Sequence, residues 1–440
     1  MVSRQIDPST LSRRALFRGG SYLFASGLLT SLPFVSGSLF AHDVGSSWPN
    51  LAAMAEKYIN SRKVANLLIS IGKGQEDISH TVGGGTLSFR NSQEVDLNTL
   101  FRIYSMTKPI TGMGTMMLID DGRIKLDQPL AEILPEYSNM RVLLDPEGPL
   151  DETVPAETPI TIRHLLTHTA GLGYVIISKG PLLEAFYQNG LIGAPVSRFP
   201  IPGLPEIEPA PSLAEFSVRL SRLPLVAHPG KKWIYSASID VLGRVIEVVT
   251  GQNFEAFLLE RVFEPCGMDS TFFKVPESEV ERLTTNYGVL DFMPRPIPID
   301  SPSTSIFLDK PSFPSGGGGL VSSPRDYDRF LRMLMGYGKL DGRQVMSETA
   351  VRVGISNLLP DGADLEGSWM QGQGHGAGGR SVGTTFGWGG AAGTLASVDF
   401  ATSLRIGLFT QYMPSDAYPV RQEFIDAVEK DMATLQLEHK

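Results

Sequence analysis

The chain has a single cysteine, Cys266, in 440 residues. One thiol excludes an intramolecular disulfide and a cysteine-based zinc site. It stands in Phe263-Glu264-Pro265-Cys266-Gly267-Met268, a context for a small buried apolar side chain. Positive charge is also short. Lys and Arg number 38 against 47 Asp and Glu, the net charge is −9, and no basic cluster lies beyond the N-terminus. That balance argues against nucleic acid as a partner. There is no internal repeat, and no Gly-x-Ser-x-Gly nucleophile elbow is expected, which argues against an ordinary α/β-hydrolase. His164 and His168 have the i, i+4 spacing of a zinc-binding helix. The residues between them, Leu165-Leu166-Thr167, lack a metalloprotease glutamate, and no third ligand cluster is visible. No metal and no cofactor are expected.

What is present is ordinary globular material: 42% hydrophobic and 19% charged residues, enough for a large core and two or three structural lobes. The N-terminus stands apart. Ser12-Arg13-Arg14-Ala15-Leu16-Phe17-Arg18 precedes an uncharged, moderately apolar stretch over 19–41. This resembles a twin-arginine export signal, an address read by a receptor and not part of the fold. The stretch is nearly long enough to span a bilayer, so an uncleaved anchor is the alternative; its Gly, Ser and Pro33 content favours a signal. Cleavage after Ala41 would leave Leu39 where a small residue is usual. The expectation is a segment 1–41 handled by the twin-arginine export machinery, and a mature chain in a bacterial periplasm without stable membrane insertion.

Beyond the signal, Asn50 is placed to cap a helix over 51–60, followed by strand-like runs at 66–71 and 78–89, the second interrupted by Gly83-Gly84-Gly85. The C-terminus mirrors this with strands at 393–398 and 404–410 and a helix over 420–435. Such an arrangement predicts one antiparallel sheet built from both ends of the chain. Residues 42–123 and 320–440 would form that sheet lobe, and 124–319 a mainly helical lobe whose clearest helices lie at 160–167 and 239–249. Ser323-Pro324-Arg325-Asp326 reads as a capping box opening a helix through Met335. Two proline-rich stretches, 195–211 and 294–314, are too long for simple connections; each is either a mobile cover or surface wrapping.

Chemistry enters at Ser105-Met106-Thr107-Lys108. A hydroxyl and an amine three residues apart share a helix face, and Lys108 can reach the Ser105 oxygen. Pro109 fits only in a first turn, which places the helix start beside the serine; Asp121-Gly122 supplies a stop. A serine hydroxyl needs a neighbouring base to act as a nucleophile, and a lysine can be that base. The same spacing recurs at Ser70-Ile71-Gly72-Lys73, where Leu67-Leu68-Ile69-Ser70-Ile71 reads as a strand, so that pair shares no helical face.

Two further motifs bear on it. Tyr235, in Tyr235-Ser236-Ala237 just before the 239–249 helix, is a candidate proton carrier. Phe386-Gly387-Trp388-Gly389-Gly390-Ala391-Ala392-Gly393 reads either as a glycine-rich turn or as an edge strand. In the second case the Ala391 N–H would join that of Ser105 in an oxyanion hole.

Ser105-x-x-Lys108, Tyr235-x-Ala237 and Trp388-Gly389-Gly390, in that order, resemble the serine β-lactamase and penicillin-binding superfamily, and within it the class C-like branch of family VIII carboxylesterases. Leu165-Leu166-Thr167-His168-Thr169-Ala170-Gly171-Leu172 and the run from Gly316 to Pro324 support the match. The resemblance implies an α+β, β-lactamase-like (transpeptidase-like) fold, Ser105 as nucleophile, Lys108 and Tyr235 as the base and acid pair, and Ser105 and Ala391 as oxyanion donors. It also implies substrate contacts from Trp388, Gly389, Gly390 and Ala237, and a structural role for the His168 segment. His375 reads as a loop residue and Arg325-Asp326 as support for a helix start. Trp388 replaces a lysine that would pair with a substrate carboxylate, and Ala237 replaces an amide-bearing residue. Both changes favour uncharged esters over β-lactams or peptides; short to medium acyl groups are a separate expectation, which neither residue carries. The rival readings are a β-lactamase or D-amino-acid peptidase, an acyltransferase, and a non-catalytic acyl-binding sensor.

Overall fold

The computed structural model describes residues 47–201, 205–291 and 293–438; the export-signal expectation lies outside the described residues. Helix α1 (Pro49–Asn60) leads into β1 (Asn66–Lys73) and β2 (Ile78–Gly85). The C-terminal part supplies β3 (Gly374–His375), β4 (Arg380–Val382), β5 (Thr385–Gly389), β6 (Leu395–Asp399) and β7 (Leu404–Phe409), then a long helix, Val420–Glu438. These strands form one seven-stranded sheet in the order β3-β4-β5-β6-β7-β1-β2, with antiparallel pairings throughout. The junction of the two ends is β1 against β7, with Leu68 opposite Phe409. The expectation of a sheet assembled from both termini is met.

The second strand stops at Gly85, short of the expected 89. Its glycines are there for close packing: a Cβ on Gly83, at φ +84°, would lie 2.1 Å from the Leu67 carbonyl oxygen and 3.0 Å from the Ala55 side chain. Ala55 belongs to α1, so the absence of side chains lets that helix settle on the sheet. Ser70 and Lys73 both lie on β1; Ser70 is buried within it and Lys73, its last residue, is exposed.

Asn50 does not cap α1. The helix begins one residue earlier, at Pro49, and Asp431 from the C-terminal helix serves its free N–H groups. Asp431 Oδ1 accepts from Asn50 N at 3.0 Å and Asn50 Nδ2 at 2.6 Å, and Oδ2 accepts from Leu51 N at 3.0 Å. A buried carboxylate at a helix N-terminus satisfies orphan donors and complements the dipole. The helix-to-helix bond thereby joins the two chain ends on one face of the sheet.

On the other face lies α2 (Thr107–Asp120), buried on every side from Thr107 to Leu118. Its Ile110, Met113, Met116 and Met117 belong to one continuous apolar cluster, which runs from sheet residues Phe386, Ala396 and Val398 into the helices of the middle region. Helix α3 (Ser238–Thr250) packs on α2, and the expected 160–167 helix contracts to Ile162–Leu166. Helix α4 (Pro324–Met335) starts at Ser323, whose Oγ accepts from Asp326 N at 3.1 Å. Only half of the capping box forms. The Asp326 carboxylate turns away to accept from Ser270 N and Thr271 Oγ1, at 2.6 and 2.9 Å. Cys266 is buried, and burial pushes its thiol up to about 12, consistent with an inert packing residue. The two proline-rich stretches pack together, with Arg198 Nη2 2.7 Å from Asp309 Oδ2 and 3.2 Å from the Ser305 carbonyl oxygen. Among the described residues, no helix is long and apolar enough to cross a membrane.

Removing the Asp431 carboxylate leaves helix donors buried without an acceptor. Asp431→Ala is expected to cost about 2 kcal/mol in urea unfolding; an unchanged midpoint would show that the bond between the chain ends carries no stability.

Candidate active site

Ser105 is placed by a short strand pair. Phe101–Arg102 runs antiparallel to Val321–Ser322, which sets the chain before Ser105 beside the glycine segment 316–319. The buried Arg102 guanidinium anchors this pair, with Nε 2.7 Å from Asp300 Oδ2 and Nη1 2.7 Å from the Thr284 carbonyl oxygen. Tyr104 then adopts φ +40°, sharply turning the chain into the single 3-10 turn Tyr104–Met106 that leads into α2. A left-handed tyrosine is strained, and its surroundings hold it: the buried ring meets Phe307 edge-on at 6.1 Å.

Ser105 Oγ is 3.2 Å from Lys108 Nζ and accepts a hydrogen bond from the Tyr235 hydroxyl at 2.7 Å. The helical spacing expected from the sequence is therefore realised, and Tyr235 closes the triangle from 130 residues away. Lys108 is fully buried. Its Nζ donates to the Gly317 carbonyl at 2.6 Å and sits 4.6 Å above the Tyr235 ring and 5.7 Å from that of Tyr174. A cation over aromatic faces recovers part of the solvation it has lost.

Asp240, in the first turn of α3, completes this arrangement and was not foreseen. Its Oδ1 accepts from Ser315 Oγ at 2.6 Å and from Gly317 N at 3.0 Å. The Gly317 residue is thus held through its N–H by Asp240 and through its carbonyl by Lys108. Burial raises the Asp240 carboxyl above its ordinary range, and the hydrogen bond from Ser315 and the Lys108 charge oppose that rise. In the sequence, an aspartate in a first helical turn reads as a dipole partner, so no local signal marks it.

Behind Tyr235 stands an aromatic wall. His168 lies 4.9 Å away, Trp369 5.4 Å, Tyr174 5.6 Å and Trp388 5.9 Å, centroid to centroid. His168 has φ +57° and exchanges a 2.9 Å hydrogen bond between Nδ1 and Ser236 Oγ. His164 is used elsewhere: its Nδ1 accepts from Thr161 N, at 3.2 Å, in a helix cap. The zinc-like spacing thus serves two separate purposes. His375 is not a loop residue. It lies on β3, fully buried, with its ring 5.4 Å from both His168 and Trp388. Desolvation holds both imidazoles neutral, His168 well below its ordinary value and His375 down to about 4.

The third motif is an interior strand. β5 lies between β4 and β6, but its last pair with β4 is Arg380 with Gly387. Trp388 and Gly389 therefore extend past β4, and Ala391 occupies the turn that follows. A Cβ on Gly390 would lie 2.2 Å from the Ile103 carbonyl oxygen, so this glycine lets the turn close on the segment before Ser105. Among the described residues, neither the Ser105 nor the Ala391 N–H has an acceptor in the protein. Ala237 is wholly buried, with its N–H 3.2 Å from the Gly173 carbonyl oxygen; it shapes the wall from beneath and presents no surface to a substrate. Gly379-Arg380-Ser381-Val382-Gly383 spells Gly-x-Ser-x-Gly, but Ser381 lies within β4 opposite Phe386 and not on a strand-to-helix turn. That spelling is no nucleophile elbow.

A sheet built from both chain ends, with a Ser–Lys–Tyr triangle where a buried helix starts beneath its β5 end, defines a protein of the serine β-lactamase and penicillin-binding superfamily. The chain belongs to the beta-lactamase family, whose profile matches residues 51–429. An uncharacterised protein of Mycobacterium tuberculosis is 37% identical over 264 residues, 60% of this chain and 61% of that protein. The match thus spans about three fifths of that relative's length. Esterase EstB of Burkholderia gladioli is 29% identical over 67% of this chain and 72% of its own. Among solved structures, EstCE1, described as a hydrolase with promiscuous acyltransferase activity, superposes with a TM-score of 0.69. Its sequence identity is 23%, and the match covers 86% of this chain and 97% of that one.

His375 ties the site to pH. Its ordinary pKa of 6.5 is held down to about 4 in the fold, so the unfolded chain takes up a proton that the native state refuses. Its contribution is complete above 6.5 and is lost as pH falls through about 4. His375→Gln should flatten the decline in unfolding free energy between pH 7 and pH 4, leaving the shares of His164 and His168. An equal slope in wild type and variant would show that His375 does not resist protonation.

Proposed function

We propose that the protein is a serine hydrolase that cleaves carboxylic esters through an acyl-enzyme on Ser105. The observation that carries this reading is Ser105 Oγ held between Lys108 Nζ and the Tyr235 hydroxyl, at 3.2 and 2.7 Å. In its reactive form the Lys108–Tyr235 pair carries one proton fewer than ammonium plus phenol; Ser105 Oγ adds to the ester carbonyl carbon and its proton passes to that pair. The carbonyl oxygen becomes an oxyanion facing the Ser105 and Ala391 N–H groups. The tetrahedral intermediate collapses, the alcohol leaves with the proton returned through Tyr235, and water repeats the sequence on the acyl-enzyme. Lys108 Nζ and the Tyr235 hydroxyl both reach Ser105 Oγ, so neither alone is assigned as the base.

The substrate class follows from Trp388. An indole offers an apolar face and one N–H donor where a cation would seize a carboxylate, which supports uncharged esters; short or medium acyl chains are a separate part of the proposal. Similarity to a named esterase and to a hydrolase fold with acyl-transfer capacity supports the same chemistry. The second of these also favours a secondary activity in which an alcohol takes the acyl group instead of water. The twin-arginine-like start supports a periplasmic enzyme released from its signal.

Purified protein should hydrolyse p-nitrophenyl butyrate, and Ser105→Ala should abolish this; full turnover in that variant sinks the assignment. Lys108→Ala and Tyr235→Phe should each lower kcat by about 10²-fold or more. Nitrocefin turnover as efficient as ester turnover would overturn the argument from Trp388, and a stable acyl adduct in intact-mass spectra without release would mark a sensor. For localisation, replacing Arg13 and Arg14 with Lys should keep the protein out of the periplasmic fraction; unchanged periplasmic recovery would refute the twin-arginine route.

A further inference from the structure

We propose that Arg421, on the C-terminal helix, is a positioning residue for the oxyanion hole, acting through the Gly390–Ala391 peptide. Its Nη2 donates to the Gly390 carbonyl and, at 3.3 Å, to the Thr394 carbonyl. These are the two carbonyls at the neck of the turn between β5 and β6, where Gly390 N also donates to Thr394 O at 2.8 Å. A Cβ on Gly389 would lie 3.0 Å from Arg421 Cζ, so the guanidinium sits flush against the end of the strand.

The consequence follows from the planarity of the peptide. The Gly390–Ala391 bond is trans, since the cis bond among the described residues is Met413–Pro414. In a trans peptide the C=O and the next N–H point in opposite directions. Fixing the Gly390 oxygen toward Arg421 therefore fixes the Ala391 N–H on the opposite side of the peptide, away from the guanidinium. Gly393 N adds a second bond to the same oxygen at 3.3 Å. A charged donor on the carbonyl also polarises the amide and makes its N–H a stronger donor. Arg421 thus controls both the direction and the strength of one oxyanion contact without touching the substrate.

This rests on the acyl-enzyme reading of Ser105, so the test separates the two. A phenyl trifluoromethyl ketone adds reversibly to a serine hydroxyl: an O–C bond forms, the carbonyl electron pair becomes an oxyanion, and the proton goes to the Lys108–Tyr235 pair. Its Ki reports the oxyanion contact, whereas KM for p-nitrophenyl butyrate reports ground-state binding. Arg421→Gln should raise Ki and lower kcat by about tenfold each, with KM within about twofold of wild type. Arg421→Lys, which keeps a cation for one carbonyl, should recover part of both and carries the test if the Gln variant melts. Unchanged Ki in either folded variant, or a lower melting temperature with kcat and Ki intact, would overturn the positioning role while leaving the hydrolase reading in place. A wild-type protein that the ketone does not inhibit, or inhibits equally after Ser105→Ala, would overturn the hydrolase reading and the Arg421 role with it.

Discussion

A buried lysine is the constraint around which this site is arranged. Lys108 has no solvent exposure, and an ammonium removed from water costs several kcal/mol unless the protein replaces its hydration. The replacement comes from separate parts of the chain: the Gly317 carbonyl, the Ser105 hydroxyl and the faces of Tyr235 and Tyr174. Asp240 supplies the opposite charge without contact, on the far side of Gly317. The glycines of 316–319 follow from this crowding. A Cβ on Gly317 would lie 2.7 Å from Asp240 Oδ2, and one on Gly316 2.7 Å from the Ile239 carbonyl oxygen. Gly317 therefore serves close approach to Asp240, and a side chain there would push Asp240 away from the loop that also holds Lys108.

The same amine explains why the tetrad at Ser70 and Lys73 has no such role. Both spacings are identical in sequence, and backbone geometry alone separates them. On β1 residues three apart point to opposite faces, and Lys73 ends the strand exposed while Ser70 is buried within it. At Ser105 the 3-10 turn opened by the strained Tyr104 runs into a helix that starts two residues after the serine, so i and i+3 meet. Pro109 makes that start legible in the sequence because a proline tolerates little else. The sharpness of the turn is not legible, since nothing in the identity of Tyr104 announces a positive φ.

What could be read in advance was local or periodic: the sheet from both chain ends, the long terminal helices, the Ser–Lys spacing, and the ordered recurrence of three short motifs. What escaped was long-range and polar. Asp431 caps a helix some 380 positions away, Asp240 reaches a glycine segment 77 residues on, and His375 packs on His168 from a two-residue strand. None of these leaves a local pattern, because a single polar side chain has no periodicity to betray its partner. Ala237 was misjudged for a related reason. Its place in the motif suggested a substrate contact, but motif position does not fix depth, and a small residue at a helix start is readily buried.

Charge placement around the third motif decides what the site can hold. Where a relative with a lysine would offer a cation along the strand, this chain offers the Trp388 ring, packed against Tyr235 and His375. Positive charge is nevertheless close by in Arg421, behind the strand. There the guanidinium is engaged by the carbonyls of Gly390 and Thr394, which places its strongest field on the backbone and not on an approaching carboxylate. The desolvated imidazoles of His168 and His375 are held neutral and add no cation. The rings packed around Tyr235 are those of His168, Tyr174, Trp369 and Trp388 and carry no cation. An anionic ligand would lose its hydration against that wall without a matching charge, whereas an uncharged acyl group loses little and gains apolar contact. The proposed preference for neutral esters thus rests on where the arginine points as much as on the tryptophan that stands in place of the lysine.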